Sequence, residues 1–176
     1  AALRPAHGQT FHYIGPDGGS WQLAGFWTPF NPIAPPSLQP PPTSGDVANI
    51  GNGAAVLLNE SVPSGLFDPG LAGLLVFNDS ELRTNGHLMR VLNATGDAET
   101  NIVGTGTTGG NTRLVIDTSG GVGFRGQLVN ISNGAELRLE DGLVEVNNHH
   151  HRKRHDQFVR GRFPRPKNDS QRHDSP

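Results

Sequence analysis

The sequence predicts an all-β protein of short strands stacked in successive coils, with a β-sandwich as the alternative arrangement. Residues 81–83 and residues 136–138 both read Glu-Leu-Arg, and a glycine turn and a second apolar–polar alternation follow each of them. A strand–turn–strand unit that recurs within one chain is typical of stacked β coils. The chain also holds 24 glycines and 14 prolines and is only 34% hydrophobic, which favours many short strands over packed helices.

Residues 45–147 form the predicted body of the protein. Short apolar segments alternate there with Gly, Asn, Asp, Ser and Thr, and no window of 11 residues shows a helical period. Val, Ile and Leu are expected to face inward, and polar residues outward. Gly45 and Asp46 open the body as a predicted structural turn, in which the glycine takes a positive φ and the aspartate accepts backbone N–H groups.

The first 31 residues are predicted to form an aromatic N-terminal cap. Six of the eleven aromatic residues lie between positions 11 and 30, and the Gly/Pro/Asp turn at 15–19 predicts a hairpin of residues 11–14 with 20–26. Tyr13, Trp21 and Trp27 carry two interpretations. Their rings would stack on a sugar or a partner from one flat face, or they would cover the open end of the coils, which is the favoured interpretation.

Two segments outside the body are predicted to lack regular sheet structure. Residues 32–44 contain six prolines and are expected to be an extended connector, because proline fixes φ and lacks an N–H. Residues 148–176 form a basic tail with few apolar side chains, and we expect it to be disordered. Residues 1–148 carry a net charge of −7 and residues 149–176 one of +5. The abrupt change also fits an out-of-frame extension or a cloning remnant.

No catalytic site is predicted, and the sequence leaves enzymatic activity undecided but disfavoured. The chain has no cysteine, which excludes disulfides, thiolate metal sites and cysteine nucleophiles. It has no Gly-x-Ser-x-Gly elbow and no phosphate-binding loop with a lysine. The arginines of the body are expected to be structural: Arg83 or Arg138 beside Glu81 or Glu136 would form a stabilising cross-strand ladder.

No cofactor is predicted. Transition metals are expected to bind only adventitiously to the tail histidines, because a flexible tail offers no fixed outer shell of hydrogen bonds to His149, His150, His151 and His155. Calcium requires six to eight oxygen ligands, and no calcium-binding motif is present. The nearest acidic pairs are expected to be solvated loop residues, namely Asp97 with Glu99 and Glu140 with Asp141.

The opening of the body resembles a known family. Trp21 and Trp27 precede residues 42–50, Pro-Thr-Ser-Gly-Asp-Val-Ala-Asn-Ile. This resembles the Trp-rich opening with Pro-x-x-Gly-Asp-x-Ala-x-Ile of bacterial surface and autotransporter-associated β-strand-repeat proteins, and residues 75–91 and 129–146 are similar to the coils that follow it. The resemblance implies a right-handed parallel β-solenoid on an exported or surface-anchored protein, without catalytic residues. The long proline-rich insert and the end of the coils at Asn147 depart from the family, and they favour a fragment or a cap with three to four coils.

The predicted function is a non-enzymatic extracellular or bacterial cell-surface module for structure or adhesion, with polysaccharide or surface matrix as the expected partner. One alternative is a carbohydrate-active β-helix enzyme or its glycan-binding accessory piece, and another is a truncated or frame-shifted fragment without its own function. The acidic body disfavours nucleic acid, and no apolar run approaches the roughly 18 residues of a membrane helix. Exposed strand edges after residue 146 are expected to support edge-to-edge self-association.

Overall fold

A computed structural model of the chain describes residues 8–29, 39–64, 69–106 and 111–147. No described residue is helical, and this part of the chain therefore has no helix able to cross a membrane. The all-β prediction is confirmed, whereas the predicted tail and most of the proline-rich connector lie outside the described residues. The strands are β1 (Thr10–Tyr13), β2 (Gly19–Ser20), β3 (Trp27–Pro29), β4 (Val47–Ile50), β5 (Ala55–Leu57), β6 (Gly73–Phe77), β7 (Glu81–Arg83), β8 (Met89–Val91), β9 (Glu99–Val103), β10 (Arg113–Gly126), β11 (Leu128–Ser132) and β12 (Glu136–Val146).

The strands form two sheets, and the chain alternates between them. The first sheet has the order β11-β9-β6-β4-β1-β3, and the second has the order β12-β10-β7-β5-β2, with β8 paired to the second half of β10. Every pairing is parallel except that of β1 with β3. From β4 to β7 and from β9 to β12, consecutive strands lie in different sheets, so each sheet grows by one strand every time the chain returns. The exceptions are β3 and β4, which both belong to the first sheet, and β7 and β8, which both belong to the second.

The first sheet keeps a constant spacing over three of its strands. In β4, β6 and β9 the paired residues lie 26 positions apart, and β11 follows 29 positions after β9. One line of paired residues is therefore entirely aliphatic: Ile50, Val76, Ile102 and Ile131. The strands β1 and β4 are buried at every second residue, as the period of a half-buried strand requires.

The second sheet supplies the facing line of apolar side chains. Val56 of β5 pairs with Leu82 of β7, which pairs with Leu114 of β10, which pairs with Leu137 of β12. The first three are fully buried and belong to the same core cluster as the aliphatic line of the first sheet. Leu137 is only partly buried, because β12 ends the sheet.

The N-terminal segment differs from the predicted hairpin. β1 pairs antiparallel with β3, whereas Gly19 and Ser20 pair with the second sheet at Val56 and Leu57. The turn at residues 15–19 carries the chain from the first sheet to the second, so β1 is not followed directly by its partner. The antiparallel pairing predicted for residues 20–26 is displaced to residues 27–29, and within the predicted range the Ile14 N–H donates to the Phe26 carbonyl at 2.8 Å. β1 also pairs with β4, so the sheets run across the boundary predicted between the cap and the body.

The loop before β4 is fixed by Gly45 and Asp46. Gly45 has a φ of 82°, and its N–H donates to the carbonyl of Gly70 at 2.8 Å. The Asp46 carboxylate accepts the backbone N–H of Gln9 at 3.0 Å and that of Thr43 at 2.9 Å. The turn therefore joins three separate stretches of backbone at the start of β4.

Thr100 provides a stability test of the apolar core. It lies inward between Leu74 and Val129 with 0% exposure, and its hydroxyl has no hydrogen-bond partner among the described residues. Leaving a buried hydroxyl unpaired costs about 1–3 kcal/mol, so Thr100→Val is expected to raise the free energy of unfolding by about 1 kcal/mol. Urea unfolding of the full chain measures this change.

The matched control for this prediction is Thr84→Val. Thr84 is also 0% exposed, but its hydroxyl hydrogen-bonds the Asp117 carboxylate at 2.9 Å, so its replacement is expected to destabilise the protein by about 1–2 kcal/mol. Equal destabilisation by both substitutions would contradict the assigned burial and direction of Thr100.

Candidate functional site

The aromatic residues proposed as ligand contacts lie in the core. Tyr13, Trp21 and Trp27 are 4%, 1% and 0% exposed, and the Trp27 ring centroid lies 5.2 Å from that of Tyr13 and 4.5 Å from that of Trp21. The Trp27 indole N–H donates to the Trp21 carbonyl at 2.8 Å. These rings show no open face for stacking, so the geometry supports their packing role and gives the ligand-binding hypothesis no support.

Tyr13 is held by its hydroxyl as well as by its ring. The hydroxyl donates to the Pro16 carbonyl at 3.0 Å. Burial, and then the nearby Asp17 carboxylate, raise the pKa of Tyr13, so the hydroxyl stays protonated and keeps this bond. The bond anchors the turn that carries the chain from β1 to β2.

A cluster of charged side chains covers the outer face of the second sheet. It forms because the two Glu-Leu-Arg segments occupy equivalent positions on β7 and β12, on either side of residues 113–115 of β10. Their leucines point inward, so the flanking charged residues point outward on adjacent strands. We call this group the charged cluster, and its members are Glu81, Arg83, Arg113, Asp117, Arg138 and Glu140.

Arg83 is the centre of the charged cluster. Its guanidinium donates to Glu81 at 3.2 Å, to Asp117 at 3.1 Å and to Glu140 at 2.8 Å, and thereby bridges β7, β10 and β12. The hydrogen bond to Glu140 is the largest cause that raises the pKa of Arg83 further above its ordinary value, against the opposing effect of burial. Arg113 binds the other oxygen of Glu81. The cluster is therefore one network and not a set of isolated pairs.

Asp117 is held in its ionised form. Burial by itself would raise its pKa, but hydrogen bonds from the Thr84 hydroxyl, the Arg83 guanidinium and the Asn85 backbone N–H outweigh burial, and the pKa of Asp117 is lowered. A general acid in glycoside hydrolysis needs the opposite shift. The environment of Asp117 therefore favours a structural role over acid catalysis.

An apolar side chain also lies buried beside the charged cluster. Val115 shares its outward register with Arg83 and Arg138, yet it is 0% exposed and does not belong to the main core cluster. The aliphatic stems of the arginines on the two neighbouring strands can cover it while their charged ends reach the carboxylates. Val115 is therefore an apolar residue that is buried on the outer side of the second sheet, apart from the main core.

Arg83 contacts Glu81, but both residues lie on β7, so this pair is not the predicted cross-strand ladder. The partner of Arg138 also differs from the prediction. Arg138 binds Glu140 at 3.1 Å and not Glu136, because Glu140 presents one oxygen to Arg138 and the other to Arg83. Sequence reasoning also missed Arg113 and Asp117. The apolar–polar alternation of residues 113–116 matches that of the Glu-Leu-Arg segments and would have indicated Arg113. No sequence pattern of this kind indicated Asp117.

A second candidate feature is a groove of about 300 Å³ on the outer face of the first sheet. It lies at Gly73, where the missing side chain leaves a depression between Val47 and Glu99, its neighbours along the ladder. The Asn101 amide donates to Glu99 at 3.2 Å and accepts from Asn130 at 3.0 Å. Amide and carboxylate groups line the groove, and both can hydrogen-bond hydroxyl groups of a polar ligand.

The acidic pairs considered for calcium have other roles. Asp97 accepts hydrogen bonds from the side chains of Asn93 and Thr95 within its own loop, and Glu140 belongs to the charged cluster. Within residues 8–29, 39–64, 69–106 and 111–147, no group of three or more histidines and acids lies close enough to hold a metal ion. The tail histidines lie outside the described residues: His149, His150, His151 and His155.

Comparison of the chain with protein-family models, with curated proteins and with solved structures finds no match in any of the three.

Arg83→Met tests the importance of the charged cluster. Methionine keeps an apolar stem beside Val115 but removes the cation shared by three carboxylates, so the expected loss is about 1–3 kcal/mol in the free energy of unfolding. Chemical denaturation at neutral pH measures the loss.

The matched control is Arg125→Met, on the same strand as Arg113. Among the described residues, Arg125 forms one ion pair, with Glu145 at 2.7 Å, and both side chains are nearly half exposed. Its replacement is therefore expected to change stability by less than about 0.5 kcal/mol. If Arg83→Met cost no more than Arg125→Met, the network would have no structural importance.

Proposed function

We propose that this protein is a short right-handed parallel β-solenoid and that it serves as a non-enzymatic structural and adhesion module of an extracellular or bacterial cell-surface protein. The observation that carries the proposal is the constant parallel register, in which the same alternation returns on β4, β6 and β9 every 26 positions. A solenoid requires such a return, because each coil buries its apolar residues only against the next one.

A third line of pairing supports the solenoid over the sandwich. Val62 pairs in parallel with Met89, Met89 with Phe124, and Phe124 with Val144. Each passage of the chain therefore contributes to the first sheet, to the second sheet and then to this third line, which is the path of a three-sided coil. Sandwiches of the immunoglobulin type are built instead from antiparallel strands.

The resemblance of the opening segment supports the assignment to the surface of a bacterium. Trp21 and Trp27 fill the core at the first coil, and Gly45 with Asp46 begins β4, so the residues that carry the resemblance to β-strand-repeat proteins have definite structural roles. The antiparallel strand β3 lies at the outer edge of the first sheet and covers β1. We assign this end as the cap of the solenoid.

The outer faces support a binding role without chemistry. The charged cluster is engaged in its own ion pairs, and Asp117 is held ionised, so stabilisation accounts for these charges. The groove at Gly73 presents Glu99 and Asn101 to solvent-filled space and is the proposed contact for sugar hydroxyls. Polysaccharide or surface matrix is therefore the proposed partner.

A polysaccharide-binding and depolymerisation screen on the purified full chain, with and without Ca²⁺, tests this function. We expect at least one neutral polysaccharide to retain the protein. We expect no release of reducing ends and no dependence of the binding on Ca²⁺. Glu99→Gln is expected to weaken retention several-fold, because it removes a charged acceptor from the groove, whereas Glu60→Gln at an exposed position elsewhere serves as the control. Release of oligosaccharide would favour the carbohydrate-active enzyme, and absence of any retention would contradict adhesion.

A further inference from the structure

The two sheets end differently at their two ends. Within the described residues, β11 and β12 each have a hydrogen-bonded partner on one edge only, and both of these free edges lie at the same end of the stack. β12 is 11 residues long, whereas at the other end β2 has two residues and β1 is covered by β3. Among the described residues, the longest row of backbone N–H and C=O groups without a partner strand is therefore the edge of β12.

This edge also carries unburied apolar side chains. Leu139, Leu143 and Val146 are 56%, 59% and 43% exposed, although their partners on β10 include the fully buried Ile116. An exposed strand edge with apolar side chains is a template for another strand. A partner suited to this edge would be a β-strand with alternating apolar and charged residues.

We propose that this partner strand is β12 of a second copy of this chain, paired antiparallel about a two-fold axis. Two copies that use the same free end must meet end to end, and a two-fold axis between them makes the facing strands antiparallel. Such a dimer does not extend into longer assemblies. The opposite end of each copy offers only the two-residue strand β2, and β1 is already paired there with β3. The proposal rests on the sheet register and does not depend on polysaccharide binding.

The side-chain pattern of β12 restricts the register of this pairing. Leu137 and Leu139 follow the inward face of β10, and after the corner at Gly142 the inward residues are Val144 and Val146. Inward residues must oppose inward residues, and a shift by one position would break this match. Leu139 opposite Val144 of the partner subunit satisfies the rule along the whole strand.

Charge selects this register among the ones that keep the faces matched. It places Arg138 opposite Glu145 of the partner subunit, so oppositely charged residues meet twice about the axis. A shift of two positions in one direction would place Glu136 opposite Glu145 of the partner subunit, and a shift in the other would place Glu140 there. Both shifted registers bring like charges together on adjacent strands.

The same register also predicts a substitution near the two-fold axis that strengthens the dimer. Asp141 lies opposite Gly142 of the partner subunit, which brings the two Asp141 carboxylates of the dimer near each other. Their repulsion opposes association. The Asp141 carboxylate accepts the Gly142 N–H at 2.8 Å, and an asparagine oxygen can keep that bond, so Asp141→Asn is expected to strengthen the dimer.

Sedimentation and light scattering of the full chain over a range of concentrations provide the first test. We expect the mass to rise from 18.7 kDa to twice that value and to rise no further. Leu139→Lys is expected to weaken dimerisation at least tenfold, whereas Leu23→Lys, at a similarly exposed leucine at the other end, is expected to leave it unchanged. Asp141→Asn is expected to dimerise at lower concentration than the natural sequence.

Cysteine cross-linking tests the register itself, and the chain has no native cysteine to interfere. A mixture of Arg138→Cys and Glu145→Cys proteins is expected to form a disulfide-linked dimer on mild oxidation. A mixture of Arg138→Cys and Glu136→Cys proteins is the control and is expected to stay unlinked, because these positions lie far apart in the proposed register.

Four results would overturn the proposal. A strict monomer at all concentrations would show that no second copy occupies the edge, and growth into open-ended oligomers would exclude a closed two-fold contact. Equal cross-linking in both cysteine mixtures would exclude the register. A folded Leu139→Lys protein that dimerises as well as Leu23→Lys would place the contact elsewhere, and circular dichroism of both variants verifies that they are folded.

Discussion

The parallel register is the constraint on which the rest of this structure depends. Each strand from β4 to β10 pairs in parallel with a strand of the next passage, at an offset of 26 positions from β4 to β6 and from β6 to β9, so inward residues meet inward residues. A slip of one position would turn the line through Ile50, Val76 and Ile102 toward solvent and expose the largest part of the core. The inward alternation of the strands is therefore kept, and the lengths of the connections between the sheets vary. The step from the first sheet to the second takes six positions from Ile50 to Val56 and twelve from Ile102 to Leu114, yet all four side chains are fully buried.

The charged cluster follows from the same constraint. Outward residues on adjacent strands lie close together along a parallel ladder, so a Glu-Leu-Arg segment that returns in register brings like positions near one another. Arg113 of β10, lying between the two segments, supplies the opposite charge beside Glu81, and Arg83 reaches Asp117 and Glu140 on the two following strands. A repeat that would otherwise align like charges becomes a network that bridges three strands.

The sequence allowed prediction of the features that depend on local alternation. The strands of the body and the inward aliphatic residues follow from period-two patterning. The role of Asp117 could not be predicted, because its position depends on a register shift between Ile116 and Asp117 that local pattern does not show. The pairing of β1 with β3 was likewise missed, because a turn-rich segment does not indicate whether the chain turns back within one sheet or crosses to another. Burial of Trp27 is a tertiary property that composition does not encode.

The most direct test of this account is a set of backbone nuclear Overhauser contacts in the isotope-labelled full chain. The parallel register predicts amide–amide and amide–Hα contacts between segments 26 positions apart, from β4 to β6 and from β6 to β9, with Asn49 near Leu75 and Leu75 near Asn101. Short Hα–Hα contacts between these segments, which are typical of antiparallel strands, would contradict the parallel ladder and the solenoid proposed from it.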